Sequence, residues 1–349
     1  MKSRIPLGLL LLGVVAGCGT SSPPPPASAA PAQPGPCSPS VRIDGFSDEL
    51  DQTDFQGHFV GNFSGLATQP DGGILALSDR SVLFTLDGRT HRPVAAVPLT
   101  DENGQPLDSE AIARDRDGTL LITSETEPSI RRYTADGKPL DRLPVPAPLL
   151  VAPAGRAVTN GTFEGIAPRP DGTLVASMEG PLSGDDPMLR RFQTWTRSAD
   201  GRFTPAAQWA YRMHLPSAGV SELAPTGDGR LLVLERGFVR GTGNTVQLYL
   251  ADPAGAPDVS GTDRLDAATP SIGNTQLADL ASCPSMGATS PEPQVNPLLD
   301  NIEGATVLGR DPDGALRLLL VSDDNQSADQ ITRLYWFTVR LPHPPGTGG

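Results

Sequence analysis

Short apolar runs recur along the chain at regular intervals, each broken off by a tight polar turn. Leu75-Ala76-Leu77-Ser78-Asp79, Leu121-Ile122-Thr123-Ser124-Glu125, Leu174-Val175-Ala176-Ser177-Met178-Glu179, Leu232-Val233-Leu234-Glu235 and Leu319-Leu320-Val321-Ser322-Asp323 share one pattern. Each follows an Asp-Gly pair, at 71–72, 117–118, 171–172, 228–229 and 313–314. Ahead of each pair stands a further related run: Asn62-Phe63-Ser64-Gly65-Leu66-Ala67, Asp108-Ser109-Glu110-Ala111-Ile112-Ala113, Thr162-Phe163-Glu164-Gly165-Ile166-Ala167, Gly219-Val220-Ser221-Glu222-Leu223-Ala224 and Asn301-Ile302-Glu303-Gly304-Ala305. Asp-Gly between β-rich runs is a hairpin signal, because a type I′ turn needs positive φ at both central positions. Every copy therefore reads as strand, two-residue turn, strand. Third strands follow at Val82 to Leu86, Ile130 to Thr134 and Val246 to Leu250, and fourth strands at Pro93 to Leu99 and Leu140 to Val145.

Four antiparallel strands per repeat, at spacings of roughly 45 to 80 residues, describe the blades of a β-propeller. A β-sandwich also has regularly spaced strands, but it gives no reason for one hairpin and its flanking polar residues to return five times. The expected fold is all-β, a propeller of five or six four-stranded blades. Gln330 to Leu341 paired with Val41 to Asp44 would close the ring as part of a sixth blade and protect its edges. The Pro-, Ser- and Ala-containing stretch from Asp258 to Asn296 falls between the fourth and fifth hairpins, a position from which it could overlie the channel mouth.

Composition supports this reading. The 38 Gly and 37 Pro among 349 residues suit short strands and turns and disfavour long helices. The formal net charge of -13, with Lys2 and Lys138 the only lysines, argues against a nucleic-acid partner. The N-terminus is different in kind. Lys2 and Arg4 precede an apolar stretch from Ile5 to Ala16 that is too short for an ordinary membrane span and reads as a signal peptide over 1–17. Val15-Ala16-Gly17-Cys18 resembles the bacterial lipobox, whose cysteine thiol takes a diacylglycerol, and Gly19 rather than an aspartate favours an outer membrane where two exist. Residues 18–40 then read as a lipidated Pro/Ala/Ser-rich stalk, and 41–349 as the folded domain. The expected location is the cell envelope, with a membrane contact through Cys18 and the domain a monomer. Cys37 and Cys283 remain, as a disulfide between the start of the domain and a late loop or as two free thiols.

Turn symmetry brings candidate chemistry together. In a two-residue hairpin Glu110 faces Glu125, Glu164 faces Glu179 and Ser64 faces Asp79, while Ser221 with Glu235 and Glu303 with Asp323 come out one residue from symmetry. Directly opposed carboxylates repel. All lie at the open ends of their hairpins, so a propeller would carry them to one face beside its channel, with Asp324 and Asn325 at the same level. Such oxygen clusters suit a hard cation such as Ca²⁺. The expected metal ligands are Glu110, Glu164, Glu303, Glu125, Glu179, Glu235, Asp79, Asp323 and Asp324. Taken singly, each acid also suits a blade cap or an arginine partner. Arg80 and Arg236 follow Asp79 and Glu235, where they would neutralise acids or clamp a small anionic substrate.

The Phe-Glu-Gly-Ile-Ala box at 163–167, Leu-Val-Leu-Glu-Arg at 232–236, Asp-Asn-Ile-Glu-Gly at 300–304 and Val-Ser-Asp-Asp-Asn at 321–325 resemble the phytase-like family, often labelled esterase-like activity of phytase. The resemblance covers roughly 45 to 340. It implies an exported bacterial propeller distantly similar to calcium-dependent propeller phytases, which bind Ca²⁺ at the channel mouth and cleave phosphate monoesters. Common hydrolase signatures are missing: in Gly61-Asn62-Phe63-Ser64-Gly65 the serine comes one place too late for a nucleophile elbow, and His58, His91, His214 and His343 have no zinc-site spacing. Propeller phytases also use lysines around phosphate, and this domain has only Lys138. Two readings stand. One is a metal-assisted hydrolase of phosphate monoesters or other esters, with Arg80, Arg236 and Glu179 as catalytic groups. The other is a non-catalytic surface propeller that binds a ligand or protein partner and keeps its cation for structure.

Overall fold

The computed structural model describes residues 33–216 and 218–343. The signal peptide, Cys18 and most of the expected stalk lie outside them. Five sheets follow one another around an axis. Blade one comprises Phe63–Thr68, Ile74–Ser78, Val82–Leu86 and Pro93–Pro98; blade two comprises Ser109–Arg114, Leu120–Ser124, Ser129–Tyr133 and Pro139–Arg142. Blade three is Phe163–Pro168, Leu174–Met178, Leu189–Arg197 and Phe203–Arg212, and blade four is Gly219–Pro225, Leu231–Val239, Gly243–Asp252 and Gly273–Asp279. The first strand of each is innermost, and the five innermost strands contact one another cyclically.

Blade five is built from both ends of the chain. Ile302–Arg310, Leu316–Ser322 and Leu334–Val339 are joined by Val41–Ser47 and then Gly35–Pro36. The expected partnership between the last strand and Val41 therefore exists, but it completes the fifth blade, and the ring has no sixth. Folded structure also begins ahead of residue 41. Gly35 and Pro36 pair with Ile43 and Arg42, and Cys37 forms a disulfide with Cys283 beside blade four.

The apolar core is divided into layers between blades. Leu75, Leu83, Ile112 and Tyr133 fill the space between blades one and two. Leu121, Ile130, Phe163 and Trp195 fill the next, and Phe192, Tyr211, Val233 and Tyr249 the one after. Because both faces of a blade are covered, the second strands of blades one, two and three are buried along their whole length and read as continuous apolar runs, not alternating ones.

The Asp-Gly turns differ from expectation in one consequential respect. Gly72 N–H donates to the Gln69 carbonyl at 3.0 Å, and Gln69 N–H to the Gly73 carbonyl at 2.8 Å, with Gly72 at φ +90°. This is a three-residue loop, a type I turn closed by a glycine bulge. Asp71 Oδ1 accepts from Gly73 N–H at 3.0 Å, and Asp117, Asp171, Asp228 and Asp313 do the same two residues on. The extra loop residue moves the strand register by one, so Gly65 lies opposite Leu77 and Phe63 opposite Ser78. Ser64 is left over as a bulge.

Glycine follows the bulge residue in blades one, three and five because the neighbouring inner strand touches it there. A Cβ on Gly165 would stand 2.7 Å from the Glu222 carbonyl carbon and closer still to the Leu223 nitrogen. Gly165→Ala should therefore cost about 2–3 kcal/mol of folding free energy, read as a lowered midpoint in urea. An unchanged midpoint would show that the inner strands can separate freely.

Candidate functional site

The same bulge occurs in all five blades. Ser64, Glu110, Glu164, Ser221 and Glu303 each fall between paired residues of the first two strands. A bulge bends its strand and re-aims the extra side chain, and here it occurs at the mouth end of every inner strand. Glu110 and Glu125 are thus not directly opposed, nor are Glu164 and Glu179. The residue that follows the pair just ahead of each bulge makes a further column: Asp79, Glu125, Glu179, Arg236 and Asp323, of which Arg236 alone is itself paired, with Gly219. In blades one, two, three and five its N–H donates to Asn62, Asp108, Thr162 and Asn301 respectively.

The acids meet across the axis. One oxygen from each of Asp108, Glu110 and Glu125 lies within 4.8 Å of the others, and the same holds for Glu125, Glu164 and Glu179. Glu125 belongs to both groups. Glu303 of blade five raises the pKa of Glu110 and of Glu164, which stand on the non-adjacent blades two and three. Arg236 Nη2 is 3.0 Å from Glu303 Oε1 and 3.7 Å from Glu179 Oε1, while its Nε is buried without a partner. Asn301 Nδ2 donates to Glu303 Oε1 at 3.0 Å and to Asp323 Oδ2 at 3.3 Å. Arg80 stands at the rim, its side chain 62% exposed and 3.4 Å from Asp79 Oδ1.

Two expected ligands stand elsewhere. Glu235 pairs with Val220 one residue before the mouth column, and its fully buried carboxylate accepts from the Tyr211 hydroxyl, from the backbone of His214 and Leu215, and lies 3.0 Å from His214 Nδ1. Asp324 is wholly buried and its Oδ1 accepts from Asn62 N–H at 2.9 Å, tying blade five to the start of blade one. Conversely, Asp108 and Asn301 belong to the site although they were not among the expected ligands. Their equivalent places just ahead of the bulge in the repeat were the available signal. Glu222 was also missed. It occupies the place that Gly65, Gly165 and Gly304 hold elsewhere, and its Oε1 accepts from Leu223 N–H at 2.8 Å and Ile166 N–H at 3.3 Å.

Blade four adds a wall. Its second and third strands run on to Val239 and Gly243, so that Phe238 and Asn244 face one another beyond Arg236. Together with Glu303, Asn301 and the loop carrying Asn325 and Gln330 they line a cleft of about 450 Å³. The expected insertion contributes Glu292 to that cleft, while its other parts are absorbed by the blades: Val259 and Leu265 cover Leu189 and Ala210, and Gly273–Asp279 is the outer strand of blade four.

Electrostatics set the character of the mouth. Burial, then Asp323, pushes the Asp79 carboxyl up to about 7. Burial followed by Glu179 and Asp108 brings Glu125 to about 7, and burial with Glu303 brings Asp323 to about 8. Glu110, Glu164 and Glu303 are also raised, by burial first. For Arg236 burial opposes the charge, but Glu303 and Glu179 outweigh it and hold the guanidinium above its usual range.

The model of a phytase-like family, described as esterase-like activity of phytase, matches residues 58–326. No curated protein sequence matches the chain. Among solved structures the chain is similar to glutaminyl cyclase from Myxococcus xanthus, at 13% identity and a TM-score of 0.46 over 90% of this chain and 100% of that one. It is also similar to the PQQ-bound aldose sugar dehydrogenase of Streptomyces coelicolor, at 14% identity and a TM-score of 0.40 over 85% and 98%. A third is virginiamycin B lyase from Staphylococcus aureus, at 12% identity and a TM-score of 0.38 over 86% and 76%.

Carboxyls raised in the folded state bind protons that the unfolded chain has already lost, so their contribution to stability falls as pH rises from the unfolded values near 4 to the folded values of about 7 to 8. Protein stripped with a chelator should melt at a lower temperature at pH 8 than at pH 5. Scanning calorimetry across that range checks the sign, and a melting temperature that rises with pH would contradict this account of the mouth.

Proposed function

The chain belongs to the phytase-like family, and from that premise we propose that its mouth holds a hard divalent cation, Ca²⁺, and hydrolyses an ester of a small anionic substrate. The observation that carries this reading is the pair of carboxylate groups sharing Glu125, with one oxygen of each residue within 4.8 Å. The donors fit the ion. Asp108, Glu110, Glu125, Glu164, Glu179, Glu303 and Asp323 offer only hard oxygen, with no sulfur or imidazole among them, and a Ca²⁺ site draws six to eight oxygen ligands from such a set. When bound, the cation would supply polarisation of a phosphoryl or ester oxygen and a more acidic water.

The chain's own groups have distinct parts. Arg236, held by Glu303 and Glu179, is the guanidinium placed to offset developing negative charge. Glu179 orients that guanidinium and is a candidate acceptor for a proton from the attacking water. Arg80, largely exposed at the rim, draws the anionic group in. Lys138 is paired with Asp136 in a turn distal to the mouth, so a substrate has arginine alone for its phosphate. The lipobox-like segment ending in Cys18 supports anchorage at the outer face of a bacterial envelope, and the Cys37–Cys283 disulfide is in keeping with an oxidising compartment.

Calorimetric titration with Ca²⁺ after chelation should give saturable binding and a raised melting temperature. Glu164→Gln should weaken that binding at least tenfold, yet raise the melting temperature of the metal-free protein at pH 8 by replacing a carboxyl whose ionisation burial disfavours with a neutral amide. No binding at millimolar Ca²⁺ would sink the cation reading. Turnover is then read with p-nitrophenyl phosphate and p-nitrophenyl acetate, and Arg236→Gln should lower kcat more than it raises KM. Binding without turnover of either ester would favour a non-catalytic surface propeller. Separately, Cys18→Ser should move the protein from the membrane fraction to the soluble fraction of expressing cells; an unchanged distribution would exclude that anchor.

A further inference from the structure

The cleft beside Arg236 is built differently from the mouth. Phe238 and Asn244 are direct partners across the overhanging hairpin of blade four, and Arg236 lies two residues before Phe238, so all three project from one face. Phe238 is 48% exposed, a large apolar side chain standing free beside polar groups. Asn244 is its opposite: only 1% exposed, with neither its amide oxygen nor its amide nitrogen partnered. Leaving such atoms buried without hydrogen bonds is costly, about 1–3 kcal/mol per group, and one lined up on a cleft marks where a ligand's polar groups belong. Gln294 braces this corner, its Oε1 accepting from Asn244 N–H at 2.7 Å while its own Nε2 is unpartnered.

The opposite wall consists of amides on a strained loop. Asn325 and Gln326 both have left-handed backbone, at φ 49° and 50°, and Asn325 Nδ2 donates to Gln330 Oε1 at 3.2 Å. Consecutive non-glycine residues in that region cost energy that persists where surrounding structure or function requires it. Carboxylates of Glu303, Glu292 and Asp329 also line the cleft, against Arg236 as its single cation.

We infer that this cleft binds a neutral polyhydroxylated group, a sugar ring, as the alcohol part of the ester hydrolysed at the mouth; the inference rests on that proposed activity for its place in catalysis. Each sugar hydroxyl both donates and accepts, which suits amides and carboxylates together, and the ring's C–H face suits Phe238. The excess of acid disfavours a ring carrying several phosphates.

Saturation-transfer NMR and calorimetry with glucose, N-acetylglucosamine and cellobiose on the intact soluble domain, with chelator present, separate this from the cation reading. At least one sugar should bind saturably, and Phe238→Ala and Gln330→Ala, both outside the core, should each raise its Kd at least fivefold. Circular dichroism checks that both variants fold. Failure of all three sugars to bind, binding unchanged in both variants, or tighter binding of inositol hexakisphosphate than of any sugar would each overturn the assignment, whatever the Ca²⁺ titration gives.

Discussion

Five inner strands converge on one axis until their backbones touch, and the rest of the molecule follows from that crowding. Gly65, Gly165 and Gly304 lie where a neighbour's backbone leaves no room for a side chain. The bulge just before each of them is where a side chain escapes, toward the mouth. In four blades the escaping or adjoining residues are acids, so the geometry that closes the ring also forces carboxylates together. At about 5 Å and an effective dielectric of about 20, each pair repels by roughly 3–4 kcal/mol. A few such pairs rival the whole net stability of a domain, about 5–15 kcal/mol. Arg236 offsets part of this through Glu303 and Glu179. The remainder is relieved by protons, which the raised pKa values of Asp79, Glu125 and Asp323 reflect, and that relief is lost as pH rises.

Blade four breaks the symmetry, and in doing so gives the ring a direction. It supplies Ser221 where blades two, three and five supply glutamate, and Arg236 where the other four supply an acid. Its Glu222 stands where a glycine does in three other blades and ties down backbone N–H groups of Leu223 and Ile166. Its longer strands raise a wall beyond the mouth. The mouth is therefore not fivefold alike: its one guanidinium stands between Glu179 and Glu303, beside the cleft that blade four walls off.

Much of this was legible in the chain. The fivefold hairpin, the acids at its open ends and the arginine after Glu235 all came from the repeat. The register did not, because Asp-Gly suits both a two-residue and a three-residue loop. The proline ahead of it at 70, 170 and 312 was the discriminating sign, since proline favours the second position of a type I turn. In blade four, turn symmetry across 228–229 points from Ser221 to Arg236, and Glu235 stands one residue outside the mouth column. Asn244 and Phe238 depend on how far a hairpin overshoots its blade, which local pattern does not encode. The domain start was misjudged for a different reason: the composition from 33 to 40 is that of a linker, and it is held by pairing with Arg42 and Ile43 and by a bond to Cys283.

The fifth blade takes its outer strands from the beginning of the chain and its inner three from the end. During synthesis Val41–Ser47 is among the first folded segments made, and its partner Leu334–Val339 is among the last. No nascent chain can close the circle before nearly every residue is available. The segment at 41–47 must wait as an unpaired edge, liable to pair with the wrong strand or with another chain. A protein built this way commits to its native topology in one late step, and whatever shelters the early strand in the interval determines how many molecules reach it.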